Sequence, residues 1–410
     1  MTVENFYEQL LGVSMPWKVT AVDLLVTEEK VDVYVDFIGK ATCPECDKVA
    51  KIHDYAKTRR WRHLDSCQMK TYLHCRLPRT NCSSCKVKTL VPNWSHPNSR
   101  FTLMFEAFII KVLLATKCDS QTAKILRLTQ KEVLGIKNRA VDRGLLRRGE
   151  LEAPEVLAID EKSYGHGQKY LTVLVDHDND KVVEVVPDRT EEEVKKLLLH
   201  YSEEERKKVE SITMDMWKPF KNMAEQYLEN VLIIHDRYHI ASHMGKALET
   251  TRRAEQKTLA PDDKKILKGM RFSLLRSIDN RTKKDFPKLA KIEKDNLDTA
   301  RVFMMKEILR ELYESPISAM EAKKEFKSWI TLAKEQAIPG LTRVAKTIES
   351  HLDGICNYFH NRLTNSIAET KNSFIQELKT RARGFKNWQR YRINILFHFG
   401  KLNLDPQEKS

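Results

Sequence analysis

Four of the eight cysteines stand in two C-x-x-C units, CPEC at 43–46 and CSSC at 82–85. Each unit of that spacing makes a tight knuckle that presents two thiolates. Two knuckles complete the tetrahedron that Zn²⁺ accepts. Residues 47–81 lie between them and include the alternating stretch TYLHCRL, long enough for the strands of a zinc ribbon. Cys43, Cys46, Cys82 and Cys85 are therefore the expected zinc ligands, and four protein ligands leave no open position for a substrate. The competing explanation is two unrelated pairs of buried cysteines. Cys67, Cys75, His53, His63 and His74 are spare candidates, although Cys75 alternates with Leu73 and Leu77 and reads as core.

A second set of residues is acidic. VLAIDEKSYG at 156–165 opens with an apolar run and then places Asp160 and Glu161. Strand-like runs occupy 156–160, 170–176 and 181–187. A helical stretch at 190–209 follows, then strands at 210–215 and 230–236. Three strands, a helix and another strand begin an RNase H-like fold, in which the first and fourth strands lie side by side. Acids at their adjacent ends, Asp160 and Asp215, then converge. Glu369, near the start of a helix in TNSIAETKNSFIQELKTRARGF, supplies a third carboxylate, with Lys371, Lys379, Arg381 and Arg383 around it. Asp236 competes for the second place because it also ends a strand. That strand is the fifth, so Asp236 is assigned a supporting place behind the ligands, with His239 orienting substrate. Trp217, beside Asp215, would stack on a flipped base or fill the core. Taken singly, a strand-terminal Asp is an ordinary turn or capping residue and Glu369 an ordinary solvated helix residue. The order of elements is what joins them.

The chemistry explains why acids are wanted. Two Mg²⁺ ions about 3.5–4 Å apart can activate a water or a 3′-hydroxyl and stabilise the leaving oxygen of a phosphodiester. Hard oxygen ligands hold Mg²⁺ or Mn²⁺. Without a cation, clustered carboxylates repel one another and their pKa values rise.

The basic residues point to a polyanion. The formal net charge is +14, and residues 51–100 hold eleven Lys or Arg against two acids, Asp54 and Asp65. Arg59, Arg60 and Arg62 fall in that cluster, an electrostatic footprint for DNA. Residues 120–146 outline a helix-turn-helix. Ala123, Ile125 and Leu126 form an apolar face, Leu128 and Thr129 a turn, and Val133, Ile136 and Ala140 a second helix. Lys137, Arg139 and Arg143 would project from it toward phosphates or bases. A plain helical pair with a solvated basic face would look the same.

Elsewhere, 18–37 reads as a β-hairpin and the polar stretch 147–155 as a linker. Residues 240–350 read as charged helices broken near Pro261, Pro287, Pro316 and Pro339, and a last helical block starts near Asn365. No run approaches the roughly 18–20 apolar residues of a membrane span, and MTVENFYEQLLG lacks the layout of a secretory signal. Sparse, closely paired cysteines suit a reducing compartment. The expected location is cytoplasmic.

These motifs together resemble the ISL-three family of DDE transposases of bacterial insertion sequences. The resemblance runs from CPEC and CSSC through AIDEKSYGHGQKYLTVLVD, DMWKPF and DRYHI to TNSIAETKN and RARGF. It implies a catalytic triad of Asp160, Asp215 and Glu369 and zinc ligands Cys43, Cys46, Cys82 and Cys85. It also implies an RNase H-like domain interrupted by a helical insertion after the second Asp. Phe220 stands where the family commonly has Tyr, and Ser366 where Gly is usual; neither departure removes a metal ligand.

The expected protein is multidomain α+β. A hairpin and zinc ribbon would occupy 1–100, a helix-turn-helix 101–150, the first part of the catalytic domain 151–239, the insertion 240–350 and a closing helical part 351–410. Its expected partners are double-stranded DNA, as terminal inverted repeats and as target, and a second copy in a synaptic dimer. Two rivals remain open at this level: a non-catalytic DNA-binding regulator, and a nuclease that hydrolyses without joining.

Overall fold

The computed structural model describes residues 2–164, 169–259, 267, 270–276, 282–294, 297–385 and 387–407. The motif stretch 165–168 and the expected break at Pro261 lie outside them. The chain divides into two compact units, one of residues 1–149 with 402–410, the other of residues 150–401.

The first unit contains strands β1 (Trp17–Leu25), β2 (Lys30–Phe37), β3 (Lys51–Tyr55), β4 (Arg59–Arg62), β5 (Lys70–Cys75), β6 (Pro78–Cys82) and β7 (Lys86–Thr89). β1 and β2 form the hairpin read from sequence. One sheet runs β1-β2-β5-β4 and a second β3-β6-β7. Alternation decides what the first sheet buries: Val31, Val33 and Val35 on β2 meet Leu73 and Cys75 on β5 and Trp61 on β4 in one core. Asp32 is buried on the other side against His74, whose Nε2 lies 2.7 Å from its Oδ1.

Helices Leu103–Thr116, Asp119–Ile125 and Gln130–Arg148 follow. Thr129 starts the last with a capping box, exchanging hydrogen bonds with Glu132. Val133, Ile136, Ala140 and Val141 are buried along one stripe of it. Ile125 is not part of the core as expected. It is 60% exposed, because the short helix ends there and Leu126 turns inward instead.

In the second unit five strands form one sheet: β8 (Val156–Ser163), β9 (Tyr170–Asp176), β10 (Lys181–Pro187), β11 (Ser211–Met214) and β12 (Leu232–His235). Its order is β10-β9-β8-β11-β12, antiparallel from β10 to β8 and parallel across β8, β11 and β12. The strands are read closely by the sequence, with one difference of consequence. β8 continues past Asp160 to Ser163, so that acid is mid-strand. The helix expected over 190–209 is two helices, Glu191–Leu198 and Glu203–Arg206, because buried Tyr201 and the Ser202 cap interrupt it.

The remaining described helices are Arg237–Thr258, Arg271–Leu275, Asp285–Lys294, Asp298–Glu314, Ala319–Glu335, Pro339–Ser350, Leu352–Cys356, Tyr358–Asn361, Ser366–Arg381 and Trp388–Phe399. Pro339 opens its helix at the first position, where a missing N–H costs nothing. Pro287 does not break a helix but sits in the first turn of Asp285–Lys294. Gly340 allows a close approach, since a Cβ there would stand 3.3 Å from the backbone of Ala247. The helix Arg237–Thr258 runs unbroken from the edge of the sheet into this helical layer, sharing its core with Phe303, Phe326, Trp329 and Leu341. Among the described residues no helix is long and apolar enough to cross a membrane.

Candidate active site and metal centres

Parallel register lines up three aspartates. Met214 on β11 pairs with Ile159 on β8 and with His235 on β12. The next residue on each strand is an acid, so Asp160, Asp215 and Asp236 stand in a row across the sheet. β11 and β12 end here while β8 goes on, which opens space beside Asp160. All three are buried. Asp236 stands in the same row, adjacent to Asp215 and one strand further from Asp160.

Glu369 arrives from the helix Ser366–Arg381, which packs on β8. The helix is tied to the sheet where it begins: Thr213 Oγ1 on β11 donates to Asn365 Oδ1 at 2.9 Å. One helical turn places Glu369 and Asn372 on the same face, and Asn372 Nδ2 donates to Asp160 Oδ2. Lys379 Nζ, further along, donates to the Ser163 carbonyl at 3.2 Å. Lys371 points elsewhere, to Asp180 at 2.8 Å.

Ligand-capable atoms of Asp160, Asp215 and His239 lie within 4.8 Å of one another. Glu369 does not join that tight group; its carboxyl stands beside Asp236. His239 enters from the first turn of the helix that Asp236 caps through the Tyr238 N–H. Its Nε2 is 2.7 Å from Asp215 Oδ1 and 3.9 Å from Asp236 Oδ2.

The electrostatics are those of acids crowded without a cation. Burial, then the Asp215 charge, pushes Asp160 up to about 7. Burial, then Asp236, pushes Glu369 up to about 7. Asp236 is also raised, chiefly by burial. The hydrogen bond to Asp215 raises His239 to about 9, so its imidazolium supplies positive charge among them. Asp236 Oδ2 and Glu369 Oε1 are buried with no donor other than each other's carboxyl, and two carboxylate oxygens bond only if one carries a proton. Unpartnered hard oxygens at a row of acids form a donor set that fits Mg²⁺ or Mn²⁺.

Trp217 is not a core residue: it is 39% exposed. Its Nε1 donates to the Arg189 carbonyl at 3.1 Å, and the Arg189 guanidinium lies 4.2 Å from the Trp217 ring and 4.3 Å from that of Tyr170. Glu161, neighbour of Asp160, holds that guanidinium with both carboxylate oxygens, at 2.8 and 3.0 Å. Phe220 is buried in the core beneath the sheet.

In the first unit the four cysteines converge, their sulfurs within 4.8 Å of one another. Both knuckles have the same backbone form: Asp47 and Lys86, each following the second cysteine, take left-handed φ of 56° and 63°. The turn aims N–H groups at sulfur. Cys85 and Ser84 N–H lower Cys82 to about 7, whereas the Cys46 thiol beside it pushes Cys85 up to about 12. Four thiols cannot all ionise together without a cation, and a tetrahedral set of sulfurs is what zinc takes.

The basic residues proposed from sequence divide. Lys137 is fully buried and paired with Asp119. Arg62 is buried among Asp65 and the His63 and Thr71 carbonyls. Arg139 pairs with buried Glu106, and Arg143 donates to the Leu404 carbonyl at 2.9 Å. Lys137 and Arg62 are turned inward and not outward as expected, because packing gave them intramolecular acceptors, whereas Arg139 and Arg143 make internal contacts and stay partly exposed. Arg59 and Arg60 remain outward, over the rings of Trp61 and Tyr72. Sequence reasoning missed Asn365, Asn372 and Arg189. The spacing of Asn372 after Glu369 was a usable signal; the other two had none.

The sequence is similar to those of known proteins. An ISL3-type DDE family model, described as a transposase, matches residues 157–395. A zinc-finger model of the IS204/IS1001/IS1096/IS1165 transposases matches residues 39–85, which hold all four cysteines. The chain belongs to the ISL3 family of DDE transposases. The transposase for insertion sequence element IS1557 of Mycobacterium tuberculosis is 24% identical over 373 residues, covering 85% of this chain and 83% of that protein. The transposase for insertion sequence element IS1001 of Bordetella parapertussis is 23% identical over 362 residues, covering 86% and 87%.

Proposed function

We propose that this protein binds the terminal inverted repeats of an insertion sequence, cuts the DNA there and joins the freed 3′ ends to target DNA. The observation that carries the reading is the row of Asp160, Asp215 and Asp236 closed by Glu369, inside the region that matches the transposase family. The sheet order supports an RNase H-like catalytic domain.

Asp160, Asp215 and Glu369 are assigned as holders of divalent ions, with Asp236 beside them. Bound there, such ions would activate the attacking hydroxyl or water and stabilise the leaving oxygen. Asp160 is held through both oxygens, Oδ2 accepting from Asn372 Nδ2 and Oδ1 from the Glu161 N–H at 2.7 Å, which fixes the carboxylate's orientation in the site. His239 offsets the charge of Asp215 and is placed to meet a phosphate oxygen of the substrate. Trp217, Arg189 and Tyr170 offer an exposed stacked surface for DNA beside the acids. Cys43, Cys46, Cys82 and Cys85 would hold a structural zinc in the unit assigned to DNA binding. Two element ends must be processed together, which calls for a synaptic dimer acting on DNA in the bacterial cytoplasm.

The test uses a labelled duplex carrying both element ends, purified full-length protein and Mg²⁺ or Mn²⁺, beside Asp215→Asn and Glu369→Gln. Cleavage at the ends with joined products, lost in both variants, is the expected result. Cleavage without joining means a nuclease. Tight binding without cleavage in either metal means a DNA-binding regulator.

A further inference from the structure

Several cations of the first unit are neutralised within it. Arg62 and Arg127 share Asp65, Arg79 holds Asp54, Lys88 holds Glu45, and Lys137 and Arg139 hold Asp119 and Glu106. Arg59, Arg60 and Arg100 differ. Among the described residues none of the three has a carboxylate partner, and together with Asn98 they line one surface groove of about 440 Å³.

The fold explains why they meet. β4 is the edge strand of its sheet. The chain returns beside its end, where Arg62 N–H donates to the Arg100 carbonyl at 2.8 Å and Thr102 N–H to the Arg62 carbonyl at 3.1 Å. One residue earlier the two segments separate around a turn in which Asn98 takes a left-handed φ of 60°. The guanidiniums are partly fixed already. Arg59 lies 4.9 Å from the Trp61 ring centre and donates to the Ser99 carbonyl at 3.1 Å. Arg60 lies 4.5 Å from the Tyr72 ring centre. Three planar donor groups with no acid to satisfy them, two of them backed by aromatic rings, match the fork geometry that recognises phosphate.

We infer that the groove formed by Arg59, Arg60, Asn98 and Arg100 grips the DNA phosphate backbone without reading its sequence. The inference rests on the DNA-binding function proposed above and assigns to it a particular surface. Phosphate contacts fix a protein's register on the duplex and carry no base information.

The experiment takes the full-length zinc-loaded protein and two duplexes of equal length, one with an element end and one scrambled. Affinity is read by fluorescence anisotropy between about 0.05 and 0.2 M salt, the range in which counterion release dominates the change. Arg60→Gln and Arg100→Gln should each weaken binding to both duplexes by the same factor, about three- to tenfold. Each should also flatten the log–log salt slope by about one. Arg100→Lys keeps the charge and should keep most of the slope. Zinc content and melting temperature report folding; should Arg60→Gln lose zinc, Arg100→Gln decides alone. Variants with wild-type affinity and slope overturn the inference. So does a change in the ratio between the two duplexes, which would mean base reading. Failure of the unaltered protein to bind either duplex would instead sink the DNA-binding function itself.

Discussion

The two candidate metal centres are both crowds of groups that ionise to like charge, yet they are built in opposite ways. The thiol cluster is made of two local turns, each repeating one knuckle with a left-handed residue after its second cysteine. Around it lies little apolar packing: β3 and β7 contain no buried residue. The carboxylate cluster has no local motif. Its members come from three strands and a helix, and a core of fully buried residues such as Leu157, Ile159, Ile212 and Met214 lies under them. The contrast implies that zinc organises the ribbon, whereas packing organises the acids and a divalent ion only relieves their repulsion.

Four measurements would break or sharpen that contrast. The largest effect is expected from removing zinc. Structural zinc contributes on the order of 10–16 kcal/mol in small zinc modules, so Cys82→Ser should abolish zinc binding and unfold the ribbon. Far-ultraviolet dichroism and metal analysis read the loss; an ordered ribbon without zinc would break the comparison. Next, Asp160→Asn should lower strand cleavage about a thousandfold, since charge stabilisation by the ions amounts to several kcal/mol at about 1.4 kcal/mol per tenfold. The same variant, freed of one repelling acid, should melt at a higher temperature than the metal-free parent.

A smaller effect tests packing in the second unit. A Cβ on Gly354 would stand 2.4 Å from His235 Cδ2. Gly354→Ala should therefore cost about 1–3 kcal/mol by overpacking, more than magnesium removal does, as read by chemical denaturation. The smallest is the pH dependence of melting. Below about pH 4 the raised acids Asp160 and Glu369 are protonated in both folded and unfolded chains, and nothing is lost. Between there and about 7 the unfolded chain ionises while the fold keeps its protons, so stability falls as pH rises. The protonated His239 adds stability that is full below its usual 6.5 and lost through about 9. Melting temperature of the metal-free protein should decline across both windows, and saturating Mn²⁺ should flatten the lower one. A decline unaffected by Mn²⁺ would place the titration outside the carboxylate row.

Much of this was legible in the chain. CPEC and CSSC declare a knuckle each because a metal turn is a matter of two residues between ligands. The strands β9 and β10 were readable to the residue, since their apolar runs are bounded by turn signals. Asp160 and Asp215 could be paired from the order of elements, because a parallel crossover brings the first and fourth strands together. Tertiary structure alone decided the rest. Register put Asp236 level with Asp215, and no pattern in one strand reports where its neighbour begins. Packing turned Lys137 and Arg62 inward to carboxylates and left Arg59, Arg60 and Arg100 facing outward. A basic residue's type states its charge, and only the folded chain states whether an acid has already taken it.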